Sequence, residues 1–325
     1  MRLKGIDFGS ILTASGALGF FGEGYFHHKF LKLLGLKFDK CTFVAKTTTL
    51  FARDGNMPMK KNSIKPKEIF PKCILPNIYR PILSAKMFFN GIMLNSVGLS
   101  GPGAKALFET GSWQSQTKPF FISFMSVEKS AEERIAELEK FVRLFMDYLP
   151  DFGAKVGLQI NYSCPNVGLN PEHLIDEVKT GLKIASILGI PLMPKFNILA
   201  PVGAIREISD IDECDAICIS NTIPWGKFPE KINWKKMFGS DVSPLAEFGG
   251  GGLSGRPLLL FVAEWIEKAR KLGVQKPINA GGGILSADDV DLFKYVSADS
   301  VFIGSVANLR PWRVQKIIQR AYQLF

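Results

Sequence analysis

Short runs of apolar and β-branched residues alternate with amphipathic segments from one end of this chain to the other. No other feature constrains the fold as much, because strands separated by helical crossovers pair in parallel. The runs predict strands at Ile11–Ser15, Thr42–Thr47, Phe120–Met125, Lys155–Asn161, Pro191–Phe196, Ala216–Ser220, Lys276–Asn279 and Ser300–Ile303. Several are apolar at consecutive positions, as strands covered on both faces are.

The segments between them carry helix punctuation. Ser130 with Glu133 makes a capping box ahead of Ile135, Leu138, Phe141, Val142 and Phe145 at helical spacing. Ser286 with Asp289 reads as a second cap, and Leu259, Val262, Trp265, Ile266 and Ala269 mark a helix closed by Gly273. Eight strands, each followed by a crossover, predict an α/β fold of the (β/α)8 TIM-barrel class. A ninth apolar run, Gly91–Val97, is placed in an extended connection at the barrel mouth after the second strand. No linker divides the chain, so residues 1–325 read as one domain. At 46% hydrophobic, a chain of this length supports such a core without disulfide or metal.

Several functions are excluded or weakened at this level. The five cysteines, at 41, 73, 164, 214 and 218, form no C-x-x-C pair. That argues against a zinc site, an iron–sulfur cluster or a disulfide framework in this chain. Cys214 and Cys218 read as core thiols. The most apolar N-terminal stretch, Ile11 to Phe21, is broken by Thr13, Ser15, Gly16 and Gly19, the wrong shape for a membrane span or signal peptide. The expected setting is the cytoplasm, with no membrane partner. The net charge of +10 reads as diffuse apart from the cluster Lys60–Lys72. It suits anionic small molecules better than nucleic acid.

Active sites of such barrels are built on the loops that follow the strands. The predicted strand ends are rich in polar residues and glycine: ASG at 14–16, AKTTT at 45–49, NYSCPN at 161–166, PKFN at 194–197, SNT at 220–222, AGGGI at 280–284 and IGS at 303–305. Gly281–Gly283 and Gly304–Ser305 stand where these barrels hold phosphate on backbone N–H groups. The alternative is a pair of tight βα turns. Gly250–Gly255 formally matches G-x-G-x-x-G, but it lacks a clear preceding strand and an acidic residue about twenty positions on. It reads as a loop packing against a cofactor.

The segment Asn161–Asn166 sets a thiol, Cys164, among two amides and a hydroxyl. That set suits proton abstraction from a neutral heterocycle, since each amide offers both a donor and an acceptor. No histidine pairs with Cys164 by spacing. His27 and His28 are placed in an early helix and His173 in a loop, all as surface or packing residues, so a Cys–His nucleophile is unsupported.

Taken together, ASGALGF at 14–20, KTTT at 46–49 with Arg53 and Gly55-Asn56, LNSVGLSGPG at 94–103, INYSCPN at 160–166, SNT at 220–222, GGLSG at 251–255, AGGGI at 280–284 and FIGS at 302–305 resemble the dihydroorotate dehydrogenase family. The likeness runs nearly the whole chain in order. Cys at 164, without N-terminal membrane helices, resembles the soluble class 1 branch.

The resemblance implies FMN at the barrel mouth, with its phosphate on Gly282, Gly283, Gly304 and Ser305 and with Gly252 nearby. Ala14, Ser15, Gly16, Lys46, Asn161 and Ser220 would contact the flavin, and Lys195 would face its pyrimidine edge. Asn95, Asn161, Asn166 and Asn221 would hold the dihydroorotate ring, with Thr222 lining the pocket. Lys46 and the backbone of Val97, Gly98 and Leu99 would hold its carboxylate. Cys164 would take the C5 proton while hydride leaves C6. A homodimer is implied, and ASGALGF and KTTT resemble catalytic subunits that pass electrons to an FAD and iron–sulfur partner.

Two departures stand out. An insertion at about 57–90, rich in Lys and Pro, sits in the connection near the mouth; it reads first as a solvated loop, with a lid or a partner surface as the alternatives. The loop after Asn166 lacks the P-G-K run of fumarate-using relatives. Two rival FMN barrels, dihydropyrimidine dehydrogenase and tRNA dihydrouridine synthase, fit less well. The first usually has histidine where Asn166 stands. The second carries a helical RNA-binding domain after its barrel. A non-catalytic barrel predicts lost amides or a lost base, and neither is lost.

Overall fold

The computed structural model describes residues 1–61, 63–162 and 171–325. Seven parallel strands form one curled sheet: β1 Ile11–Thr13, then, with β2 reserved for residues 42–48, β3 Phe120–Phe124, β4 Val156–Asn161, β5 Leu192–Phe196, β6 Ile217–Ile219, β7 Ile278–Ala280 and β8 Ser300–Ile303. Their spatial order is β1-β8-β7-β6-β5-β4-β3. Residues 42–48 close the gap between β1 and β3 through parallel bridges Leu12↔Thr42, Val44↔Phe121 and Thr48↔Phe124. Thr42 N donates to Ile11 O (2.9 Å), and Phe121 N to Phe43 O (3.0 Å). All eight predicted strands are therefore present, and the sheet is a closed (β/α)8 barrel. Strand ends move by a few residues from the sequence reading, as boundaries set by single hydrogen bonds do.

The crossovers supply an outer layer of helices: α1 Phe26–Leu33, α2 Pro81–Asn90, α3 Ala104–Glu109, α4 Ala131–Tyr148, α5 Pro171–Ala185, α6 Val202–Ser209, α7 Trp234–Phe238, α8 Leu258–Lys271, α9 Asp288–Tyr295, α10 Val306–Leu309 and α11 Val314–Leu324. The predicted stripes of α4 and α8 are buried, apart from the half-buried Ile135. The capping box of α4 forms as read: Glu133 N donates to Ser130 Oγ and Ser130 N to Glu133 Oε2. At α9 the predicted cap does not form. The helix starts after Ala287 with no side-chain cap, and Asp289, in its first turn, instead accepts from the N–H groups of Leu285 and Ser286 and from the Ser286 hydroxyl, which fixes the turn that enters the helix.

Two cores share the eight strands. Leu12, Val44, Phe121, Met193, Cys218 and Phe302 point into the barrel, where Leu3 and Phe8 of the N-terminal hairpin plug the lower end. The alternate residues join the larger core beneath the helices. Cys214 and Cys218 are buried thiols whose pKa burial pushes up to about 12.

Three sequence readings are corrected here. Gly252–Gly255 is a strand, not a loop. It pairs antiparallel with Ile92–Asn95 and with Ile223–Pro224. The segment 57–90 is not merely a solvated loop, since Ile74–Leu75 pairs with the far edge of Ile92–Asn95 and α2 follows. His173 lies in the first turn of α5. The pairing of Gly252–Gly255 with Ile92–Asn95 joins segments more than a hundred residues apart, which no local pattern announces.

One buried ion pair braces the helices beside the fourth strand. Arg134 of α4 gives Nε and Nη2 to the two carboxylate oxygens of Glu177 on α5, each at 2.7 Å, and Nη1 to Lys129 O. Both side chains are under a tenth exposed. Removing one partner leaves an uncompensated buried charge, whereas replacing both by apolar groups need not destabilise. Glu177→Ala should therefore lower the free energy of unfolding by about 3–5 kcal/mol. Urea denaturation should show much of that loss recovered in Arg134→Met/Glu177→Leu.

Candidate active site

Strand alternation builds the site. Successive residues of a strand face opposite sides, so the position two beyond an inward residue is again inward. Two residues above the apolar layer of Leu12, Val44, Met193, Cys218 and Phe302 come Ala14, Lys46, Lys195, Ser220 and Gly304. Asn161 holds the same height on β4, where its register partner is Lys195. All six line one large cavity of about 2390 Å3 at the C-terminal end of the strands.

The same cavity receives the other predicted residues that are described. Asn95, Val97, Gly98 and Leu99 reach it from the strand Ile92–Asn95 and its following turn, and Gly252 from the adjoining strand. Ser15, Gly16, Asn221, Thr222, Gly282, Gly283 and Ser305 complete the set. Cys164 and Asn166 lie outside the described residues.

One end of the cavity is built for an anion. Lys46 is buried, stands 4.7 Å from the Phe20 ring centre and donates from Nζ to Ser100 O. Burial lowers its pKa to about 8, against smaller upward contributions from Glu23 and Cys73. The neighbouring turn is fixed from outside. Asn56 N donates to Val97 O (2.9 Å), Asn56 Nδ2 to Ser96 O (2.7 Å) and Ser100 Oγ to Val97 O (2.9 Å). The N–H groups of Val97, Gly98 and Leu99 find no acceptor among the described residues. A buried cation beside open N–H groups suits a carboxylate.

The centre is a set of amides. Asn221 Nδ2 donates to Asn161 Oδ1 at 3.4 Å, and Asn221 Oδ1 accepts from Thr222 N at 2.9 Å. Asn221 N is held by Phe196 O (2.9 Å). These side chains present donors and acceptors to a ring with both.

The other wall suits a flat, phosphate-bearing group. Ser15 Oγ lies 2.8 Å from both Ala45 O and Thr47 Oγ1, which ties the turn after β1 to the second strand. Lys195 is buried with its pKa lowered by burial, and its Nζ stands 5.5 Å from the Phe302 ring centre. Gly283 has φ +82°, and a Cβ there would stand 2.7 Å from Leu259 N at the start of α8. A Cβ on Gly304 would meet that of Ala14 at 2.9 Å. The two turns thus keep backbone, not side chain, facing the cavity, as phosphate cradles require.

Sequence reasoning missed part of the wall. Tyr25 OH donates to Gly16 O (2.9 Å), and His27 Nε2 lies 2.8 Å from Asn308 Oδ1. Both line the cavity, with Met93 and Phe88 beside them. The histidines were read only as surface or packing residues. Burial lowers the pKa of His27, and that of His28 to about 4, so neither is a ready cation. No local signal marks them, because His27 finds its partner in Asn308 of α10, far along the chain.

Comparison with known proteins follows this geometry. The dihydroorotate dehydrogenase family model matches residues 86–323. The catalytic subunit of dihydroorotate dehydrogenase B (NAD(+)) from Thermodesulfovibrio yellowstonii is 27% identical over 95% of this chain and 87% of its own length. Its counterpart from Anoxybacillus flavithermus is 28% identical over 95% and 84%. Dihydroorotate dehydrogenase A (fumarate) of Lactobacillus delbrueckii subsp. bulgaricus is 26% identical over 94% and 86%. A solved DHODH from Eimeria tenella, in complex with ferulenol, superposes with TM-score 0.66 at 16% identity, over 98% of this chain and 82% of that one, which speaks for the fold alone. A match that takes in most of the barrel, on a chain whose strand ends carry these residues, makes this protein a member of the dihydroorotate dehydrogenase family.

Proposed function

We propose that this chain binds FMN and oxidises (S)-dihydroorotate to orotate, a step of pyrimidine biosynthesis. The observation that carries the reading is one cavity in which Lys46, Asn95, Asn161 and Asn221 face the two glycine turns. The open backbone at Gly283 and Gly304, with a buried cation at Lys195, fits the phosphate and flavin of FMN. Ala14, Ser15, Gly16, Ser220, Gly252, Gly282 and Ser305 complete that wall.

The substrate carboxylate is held by Lys46 and the N–H groups of Val97–Leu99. Asn95, Asn161 and Asn221, with Asn166 from the following loop, bind the ring amides, and Thr222 closes the pocket. Held so, the C5 proton is taken by the thiolate of Cys164, whose role rests on the sequence. The chemistry FMN supplies when bound is acceptance of the hydride from C6 at its N5. The carboxylate partner, Lys46, favours this substrate over uracil-type pyrimidines, which carry no carboxylate.

The reading extends to assembly. It takes the chain as a cytoplasmic homodimer that passes electrons to an FAD and iron–sulfur subunit; for a partner subunit speak the catalytic-subunit names of two relatives and the missing P-G-K run. No helix among the described residues is long and apolar enough to cross a membrane.

The protein should purify yellow with FMN, and anaerobic dihydroorotate should bleach it. Release of FAD, or bleaching by dihydrouracil alone, would overturn the assignment.

Orotate affinity should depend on pH through Lys46. Its ammonium is the binding form, so affinity should hold below its pKa of about 8 and weaken as pH rises past it. Lys46→Ala should bind about ten- to a hundredfold more weakly, since a charge-assisted hydrogen bond is worth roughly 1.5–3 kcal/mol. That variant should also lose the pH dependence, which titration of the flavin spectrum with orotate would show.

Cys164→Ala should slow flavin reduction by about 10²–10⁴-fold, the range for losing a general base. FMN content and orotate affinity should be retained. Because the thiolate is the active form, reduction at saturating substrate should quicken with pH and level off in the wild type. Stopped-flow bleaching isolates this step, and an unchanged rate in the variant would remove Cys164 from the mechanism.

A further inference from the structure

The turn that follows the strand Ile92–Asn95 keeps two successive residues in the left-handed region, Gly98 at φ +71° and Leu99 at φ +56°. A leucine in that conformation costs free energy and persists only where its surroundings fix it. What fixes this turn lies on the side away from the cavity. Asn56 does not line the cavity, yet it joins two segments that do, the turn 96–99 and the loop 246–250. Its main-chain N donates to Val97 O (2.9 Å), and its Nδ2 to Ser96 O (2.7 Å) and Phe248 O (3.1 Å). Two carbonyls on one end of the amide settle that this end is the nitrogen, since only an N–H can serve them.

Gly55 lets the Asn56 segment come this close, because a Cβ there would stand 2.7 Å from both Val97 O and Gly98 O. Ser100 adds a second brace: its Oγ donates to Val97 O (2.9 Å) and accepts from Met57 N (3.0 Å). The direction of these bonds decides what the turn offers. In a trans peptide the C=O and the N–H point to opposite sides of the chain, and the peptides Ser96–Val97 and Val97–Gly98 are trans. With Ser96 O and Val97 O drawn to Asn56, the N–H groups of Val97 and Gly98 are turned away from it, toward the cavity that both residues line.

We propose that Asn56 is a positioning residue for the substrate: it holds the turn 96–99 with its N–H groups aimed at the substrate carboxylate and ties that turn to the loop 246–250. The inference rests on the substrate assigned above. Asn56 touches no ligand and acts through the backbone alone. The N–H groups it aims are therefore fixed before the substrate arrives, and binding does not have to order them.

The test is titration of the flavin spectrum with orotate, together with stopped-flow reduction by dihydroorotate, in the full-length FMN-loaded protein. Asn56→Asp keeps the size of the side chain but sets a carboxylate against the carbonyls of Ser96 and Phe248. It should bind orotate at least about tenfold more weakly, as the loss of two hydrogen bonds implies. Ser100→Ala removes only the second donor to Val97 O and should weaken binding about three- to tenfold. In both, the loss should fall on the dissociation constants of orotate and dihydroorotate and not on the limiting rate of flavin reduction. FMN content should hold, and so should the pH dependence that Lys46 gives to binding. Should Asn56→Asp fail to retain FMN, the Ser100→Ala result decides alone. Wild-type orotate affinity in the variants would overturn the proposal, and so would loss of FMN along with affinity in both, the mark of a merely structural role. A wild-type flavin left unchanged by orotate and by dihydroorotate would instead sink the substrate assignment, and this proposal with it.

Discussion

The barrel closes through its least regular strand. Residues 42–48 touch β1 and β3 only at isolated bridges, helped by Thr13 Oγ1, which accepts from Val44 N at 3.0 Å. Without that closure the sheet has two open edges and no enclosed interior. With it, alternation around the ring stacks an apolar layer below a polar one. Lys46 belongs to this closing segment, so its end of the cavity depends on the same hydrogen bonds that complete the barrel.

The polar layer is costly and is placed where the cost has a use. Two lysines are buried, Lys46 on the closing segment and Lys195 on β5, and in both burial is the main influence lowering the pKa. A buried cation such as Lys46, beside the backbone turn Val97–Leu99, favours an anion that enters the cavity. The stable pieces lie outside this layer. The Arg134–Glu177 pair and the aromatic packing of Phe108, Phe141 and Phe145 hold α3 and α4 on the sheet without entering the cavity.

The connections after the first two strands give the mouth its character. The ribbon of Ile74–Leu75, Ile92–Asn95, Gly252–Gly255 and Ile223–Pro224 joins distant parts of the chain over the barrel end. It brings Asn95 and Gly252 to the site as direct register partners. Helices α1 and α2 then wall the outer cavity and expose apolar and basic side chains around its opening.

The sequence by itself determined the eight strands, the single barrel and the inward residues at the strand ends. Those signals are local: a period of two, a helical stripe, a cap or a glycine turn each act within a few residues. They sufficed for Lys46, Lys195, Asn161 and Asn221, because any closed parallel barrel gathers its strand ends at one mouth. The rest was decided by tertiary structure. Gly252–Gly255 became a strand only because Ile92–Asn95 and Ile223–Pro224 offered it two edges to pair with. His27 reached the cavity wall through Asn308, far along the chain. Lys29 and Lys32 of α1 and Lys60 and Lys65 of the 57–90 segment line one cavity, a juxtaposition fixed by packing and by no pattern within either segment.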